Sequence, residues 1–308
     1  MSAPDAGTDA FGFAKCKAVP CWTAEGGHPH EGGRTRVLPG LLLVLFLIMS
    51  VVPGTAQSGA AAAVPDEASD DVPLANPGRP TVATPATLTP VGYLQFETGY
   101  LGAWNSPGVD SQSSMNEVVK LSVAPRLEFL VGYEPFAHSR FGSQSSNDKG
   151  GVALGVQGVV HRGEGLNPTV AVSYFRSVYG GETPDLDIGS ARNSALILAS
   201  ADVKGFHSDF NLFFNEVIDG GTHRAQFGET ISVAHGIVGK FGFAGELWHF
   251  TQPFLRGNTV GNLWAVNYNA RNNLVFDGGF NRGLTSTSTR WEVFAGFTFL
   301  LPHKVRWH

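Results

Sequence analysis

Cysteine is nearly missing from this sequence: Cys16 and Cys21 are the two present, and none follows. A disulfide framework is therefore excluded for almost the whole length. His28 and His30 stand near the pair, but the spacing fits no zinc ribbon or finger, and no metal or other cofactor is expected. Charge is also scarce. Charged residues make up 15% of the 308 positions, against roughly 25% in a soluble globular domain. Lys and Arg total 21 and Asp and Glu 26, a net charge of −5. With no basic run, a nucleic-acid partner is not expected. No apolar stretch reaches the roughly 20 residues of a membrane helix. No glycine-rich turn opens a helix, so no phosphate cradle is indicated. Glycine (39) and phenylalanine (22) are plentiful instead, while mean hydropathy is close to zero. Little charge, much glycine and aromatic content, and average hydropathy together point to an unusual all-β protein.

The longest apolar run, Leu41 to Val52, would make a helix of about 18 Å, too short for a bilayer core. Arg34 and Arg36 precede it, and Gly54-Thr55-Ala56 puts small residues at −3 and −1 of a cleavage after Ala56. The segment reads as a secretory signal peptide. Residues 1–56 are thus expected to be an N-terminal extension with its signal, and 57–90 (rich in Ala, Pro, Asp and Thr, without periodicity) a flexible periplasmic lead-in. Residues 91–301 form one domain, and 302–308 a tail.

Within that domain, apolar and polar residues alternate with period 2 again and again. Leu94, Phe96, Thr98 and Tyr100 oppose Gln95, Glu97 and Gly99. Leu127, Phe129, Val131 and Tyr133 oppose Glu128 and Gly132. Phe206, Phe210, Leu212 and Phe214 oppose His207, Asp209, Asn211 and Asn215. Trp291, Val293, Ala295, Phe297 and Phe299 oppose Glu292, Gly296 and Thr298. About 12 such runs occur. Connections after even-numbered runs are mostly short. Those after odd ones are mostly longer, with loops expected over 105–114, 134–149, 179–193 and 251–261. This is the layout of a transmembrane antiparallel up-and-down β-barrel of the bacterial outer membrane. The physical reason is closure: in lipid every backbone N–H and C=O must pair, and only a closed barrel leaves no sheet edge. The apolar faces would meet outer-membrane lipid. Tyr93, Tyr100, Trp104, Tyr133, Tyr174, Trp248, Trp264 and Trp291 would form the interfacial aromatic girdles. Gly296, Phe299 and Leu301 have the spacing that barrel-assembly machinery reads in a last strand, although LPHKVRWH displaces the usual terminal aromatic.

The opposite faces would line the lumen. They carry Gln95, Glu97, Lys120, Glu128, Gln157, Asp209, Asn211, Asn215, Glu246, Asn267, Asn269, Asp277, Asn281 and Glu292. Among the ionisable ones, six carboxylates face one lysine, so the lumen is expected to be acidic and to favour cations. Arg126 and Arg282, near the rims, are expected to pair some of these carboxylates, and Arg79 to reach from the lead-in into the lumen. The candidates for solute contact are Gln95, Glu97, Lys120, Glu128, Asp209, Asn211, Glu246, Asp277, Arg282 and Glu292. For each, a second role stays open: membership of a hydrogen-bonded network that fills and stiffens the barrel. Catalysis is not expected. His207-Ser208 and Ser232 with His235 are the nearest approach to a nucleophile and base, and neither sits in a Gly-x-Ser setting. The 179–193 loop has Glu182, Asp185 and Asp187 but no His.

Several stretches resemble the outer-membrane transporter family named for the MetA pathway of phenol degradation. They are Arg79-Pro80, then Pro90-Val91-Gly92, and Gln95, Glu97, Gly99 and Tyr100 in the first strand. Arg126, Glu128 and Gly132 follow, then Gly245-Glu246, then Asp277, Gly279, Arg282 and Gly283, and the closing FAGFTFLL. They lie in family order over residues 75–301. The resemblance implies an outer-membrane channel or transporter for small, often hydrophobic or aromatic solutes. The alternative is a structural or adhesive barrel that acts through its loops.

Overall fold

The structure is a computed structural model that describes residues 72–305, apart from 185, 188–190, 220 and 256. The expected signal segment, the cysteine pair and positions 57–71 lie outside the described residues.

Thirteen strands follow in order: β1 (Leu94–Ser106), β2 (Val109–Ala124), β3 (Leu127–Phe141), β4 (Gln144–Asp148), β5 (Val152–His161), β6 (Thr169–Tyr179), β7 (Ala191–Val203), β8 (Phe206–Asp219), β9 (Thr222–Val238), β10 (Phe241–Phe250), β11 (Thr259–Arg271), β12 (Leu274–Gly283) and β13 (Trp291–Leu300). Each pairs antiparallel with its neighbours, and β1 pairs with both β2 and β13, from Gln95↔Leu300 to Trp104↔Trp291. The sheet therefore closes into a 12-strand barrel. The short β4 stands outside that count, because it only folds back on the far end of β3, while β3 continues the barrel by pairing with β5.

The alternation read from the sequence is the alternation of the wall. Outward Phe129, Phe227 and Phe276 are 50%, 51% and 45% exposed, whereas inward Gln95 and Glu97 are 0% and 3%. Large apolar side chains outside and polar ones inside reverse the soluble arrangement and suit a wall in contact with lipid. Cross-strand aromatic pairs on the outer face, such as Phe243 against Trp264 at 5.6 Å between centroids, knit neighbouring strands.

Two expected loops are strand instead. Residues 105–114 and 134–149 are polar enough to read as loop, yet β1 and β2 meet in a tight hairpin at 107–108, and β3 and β4 at 142–143. Serine- and glutamine-rich segments can pair by backbone alone, and Gln112, Ser114 and Ser139 keep the inward alternation. The genuine long connections on that rim are 180–190, 251–258 and 284–290. The opposite rim carries mostly tight turns, such as Lys204-Gly205 between β7 and β8, where both residues have positive φ, 51° and 82°, matching the twist of a two-residue hairpin.

Strand β7 alternates poorly in sequence, and the structure supplies the reason. Leu196 and Leu198 point inward and, with Val159 and Ala171, form a dry patch on the lumen wall. Ala86 and Leu88, from the segment that precedes the barrel, pack onto it, as do Phe175 and Phe213 of the wall.

Candidate functional site

The expected flexible lead-in is, from Val72 on, a strap lodged inside the barrel. It enters at the tight-turn rim, where Ala75 N donates to Asn272 O. It rises to a tip at Val82-Ala83 and returns to Pro90 and β1. The two limbs meet where Asn76 Nδ2 donates to Thr87 O at 2.9 Å.

The strap has neither helix nor strand, so its backbone groups need side-chain partners. Pro73, Pro77, Pro80, Pro85 and Pro90 remove five N–H donors outright. Seven of the remaining ones donate to lumen side chains. Asn76 N bonds Gln95 Oε1, Gly78 N bonds Glu97 Oε1, and Val82 N and Ala83 N bond the two oxygens of Glu246. Thr84 N bonds Asn211 Oδ1, Ala86 N bonds Ser200 Oγ, and Thr89 N bonds Glu128 Oε1, all between 2.6 and 2.9 Å. Absence of periodicity in 72–90 correctly denies it a regular element, but it says nothing about disorder when a wall of acceptors waits in the barrel.

Charge is matched in the same place. Arg79 reaches the lumen as expected and pairs with Asp277, Nη2 to Oδ1 at 3.1 Å. Its guanidinium lies close against Gly99 of β1 and Gly296 of β13. A Cβ on Gly99 would stand 2.1 Å from Arg79 Nη1, and one on Gly296 2.7 Å from its Nε. Those two glycines make the slot. Lys120 Nζ and Glu97 Oε1 are 2.6 Å apart and nearly fully buried. Asp209 Oδ1 accepts from Ser200 Oγ at 2.5 Å and faces His207 Nε2 at 3.2 Å.

Of the ten candidates, Gln95, Glu97, Lys120, Glu128, Asp209, Asn211, Glu246 and Asp277 thus gather around the strap. The acidic lumen of the sequence reading is largely engaged by strap donors and by Arg79. Arg282 is elsewhere. Its position in the alternation is outward, and its guanidinium lies 4.2 Å from the Trp291 ring centre, stacked on the outer face. Arg126 donates to Val160 O at a rim. Neither arginine is paired with a lumen carboxylate in the described contacts, because both sit outside the inward register. Trp248 departs in the opposite sense. Expected in an aromatic girdle, it is 3% exposed and points inward, two positions on from Glu246. Alternation along β10 demanded this, and its residue type hid it. Nor do Ser232 and His235 meet: Ser232 is buried in the lumen, while His235 stacks on Phe206 at 4.3 Å. No group of three or more possible metal ligands occurs among the described residues.

Glu292 lies apart from the strap's ligands, in a cavity of about 300 Å³ between the strap tip and the loop rim. Val82 borders it from the strap; Leu101, Gln112, Trp248, Asn281 and Glu292 border it from the wall; and Pro184, Leu186 and Asp187 border it from the β6–β7 loop. Trp248 Nε1 donates to Asn281 Oδ1 at 2.9 Å, and Asn281 Nδ2 donates to Glu292 Oε2 at 2.6 Å. This relay fixes the Glu292 carboxylate. Sequence reading missed the loop's part. Asp187 is only 6% exposed, with Oδ1 accepting from Thr289 N at 2.6 Å and its carbonyl accepting from Gln252 Nε2. Acidic residues in a loop look solvated, and only the fold turns Asp187 inward.

Burial pushes the Asp187 carboxyl up from the usual 3.8 to about 6, against the lowering effect of Thr289. The seated loop therefore binds a proton more tightly than the open loop. Its stability is greatest below the ordinary carboxylate value and falls as pH rises through about 6. Amide exchange at Glu182, Leu186 and Asp187, corrected for intrinsic rates, is expected to show several-fold less protection at pH 8 than at pH 4, and Asp187→Asn to flatten that dependence. Equal protection at both values would remove Asp187 as the cause.

No family profile matches the chain, and no curated protein does. Among solved structures, an outer membrane channel from Pseudomonas putida F1 aligns with a TM-score of 0.53 at 10% identity, over 70% of this chain and 98% of the channel. The NanC porin aligns at 0.46 and 12% identity, over 68% and 100%. The translocator domain of the autotransporter NalP from Neisseria meningitidis aligns at 0.43 and 10%, over 68% and 89%. At such identities the likeness is one of fold, and the first of the three carries it.

Proposed function

We propose that the chain is an outer-membrane channel for small solutes whose lumen is obstructed at rest by its own N-terminal strap. The observation that carries this reading is how the strap is held. Side-chain bonds, one arginine, an apolar seat and a single backbone bond at Ala75 fasten it, and no strand pairing does, so it can leave without unzipping the barrel. A segment needed only as filler could have been replaced by bulky wall side chains, as in smaller barrels. The fold neighbour from Pseudomonas putida is described as an outer membrane channel, which agrees with this reading. The resemblance to the MetA phenol-degradation family favours hydrophobic or aromatic solutes. Leu263, Ala265 and Phe294, an apolar sector of the inner wall packed with Leu101, offer such solutes a surface. Export through the signal segment and insertion by barrel-assembly machinery belong to the same proposal.

The test is swelling of proteoliposomes that carry the refolded protein from Gln57 onward, with small sugars, organic cations and aromatic acids as solutes. Slow, solute-selective flux is expected. Folded, heat-modifiable barrels that pass no solute, with or without the strap, would overturn the channel and leave a barrel that acts through its loops.

A further inference from the structure

Three residues that border the cavity, Gln112, Thr183 and Asp187, each carry a buried polar side-chain atom without a hydrogen-bond partner among the described residues. Asp187 Oδ2 and Gln112 Oε1 accept no hydrogen bond among the described residues, although their residues are 6% and 5% exposed. A buried acceptor without a partner is costly, the more so if charged. Both residues border the cavity, so a donor placed there would satisfy them. Glu292 adds a carboxylate already oriented by Asn281, and Glu134 borders the same cavity. The cations of the lower lumen are occupied, Arg79 by Asp277 and Lys120 by Glu97, and no Lys, Arg or His side chain borders the cavity among the described residues.

What is missing is thus a positive, multivalent donor. An ammonium group has three N–H donors and no acceptor. Beside it the cavity offers hydrocarbon, Leu101 and Leu186, and the indole of Trp248, the aromatic ring best suited to a cation. A volume of about 300 Å³ is at the lower end for ligand sites and limits the occupant to a compact molecule.

We infer that this cavity is a binding site for a small amphipathic organic amine, its ammonium held by Glu292, Asp187 and Gln112 and its apolar part against Trp248 and Leu101. This deepens the channel reading and rests on it, since the site would lie on the solute path above the strap tip. The site selects by charge, whereas family resemblance points only to apolar character.

The experiment is equilibrium binding to the whole barrel in detergent, followed by tryptophan fluorescence and calorimetry. The probes are 2-phenylethylamine, its neutral counterpart 2-phenylethanol and its anionic counterpart 3-phenylpropionate. The amine is expected to bind saturably, at least about tenfold more tightly than the alcohol, and the acid not at all. Glu292→Gln and Asp187→Asn should each weaken the amine about tenfold or more while leaving the weak alcohol binding unchanged. Trp248→Phe should remove the fluorescence response. Retained heat-modifiable mobility certifies that each variant is folded, and Asp187→Asn, on a loop, leaves the wall untouched. Equal affinity for amine and alcohol, or amine binding indifferent to both carboxylate changes, would overturn the site. Because this assay needs no flux, its failure leaves the channel reading to be judged by swelling alone.

Discussion

Deletion of residues 75–89 is expected to convert an obstructed barrel into an open, cation-selective pore. Those residues contribute nothing to the closed sheet, whose seam runs from Gln95↔Leu300 to Trp104↔Trp291, so the barrel should assemble and keep its heat-modifiable mobility. What changes is the lumen. Gln95, Glu97, Glu128, Asn211 and Glu246 lose their strap donors and take up water instead. Asp277 loses Arg79. Lys120 and His207 then face six wall carboxylates, and the acidic lumen legible in the sequence comes into effect. In planar bilayers the single-channel conductance should rise by about tenfold or more, with a reversal potential displaced toward cations under a salt gradient. Unchanged conductance would mean that the strap is not the obstruction. An open but anion-selective pore would mean that the wall carboxylates do not set the field.

The second large effect is expected from Glu246→Leu, a change of one wall residue that leaves the strap's sequence intact. Glu246 is 3% exposed, and its two oxygens accept from Val82 N at 2.7 Å and Ala83 N at 2.6 Å. Hydrogen bonds to a charged group contribute about 1.5–3 kcal/mol each, so loss of both weakens the tip by about 3 kcal/mol or more. Leucine fills similar space but accepts nothing, and it leaves two N–H groups stranded in a narrow lumen. The tip should then leave the wall while the lower limb, held by Arg79–Asp277, stays. A cysteine placed at Val82 should react with a water-soluble thiol reagent about a hundredfold faster in the Glu246→Leu background. Bilayer recordings should show brief openings in place of the steady opening of the deletion. An unchanged labelling rate would show that Glu246 is dispensable to the tip and that the apolar seat of Ala86 and Leu88 holds the strap.

Period 2 and the scarcity of charge were enough to establish a lipid-facing barrel of 12 strands and to assign Gln95, Glu97, Glu128, Asp209, Glu246, Asp277 and Glu292 to its inner face. That follows because side-chain direction in a strand is a local property, set by each residue's parity. The same rule placed Trp248 inside, although its residue type suggested a membrane interface, and it placed Arg282 outside despite its charge. Parity was the better guide in both cases, since the backbone decides the face before the side chain's preference is felt.

What the inner residues do was decided by tertiary structure. A stretch of Ala, Pro and Thr has no periodicity and cannot bury itself, so in isolation it reads as flexible. Its partners, from Gln95 to Asp277, lie 19 to 198 positions away in sequence, and only barrel closure brings them into one lumen. The inward turn of Asp187 likewise depends on Thr289 and Gln252, 102 and 65 positions distant. Local sequence determined which way each side chain points. Closure of the sheet, which juxtaposes strands remote in the chain, determined whether it meets the strap, the cavity or lipid.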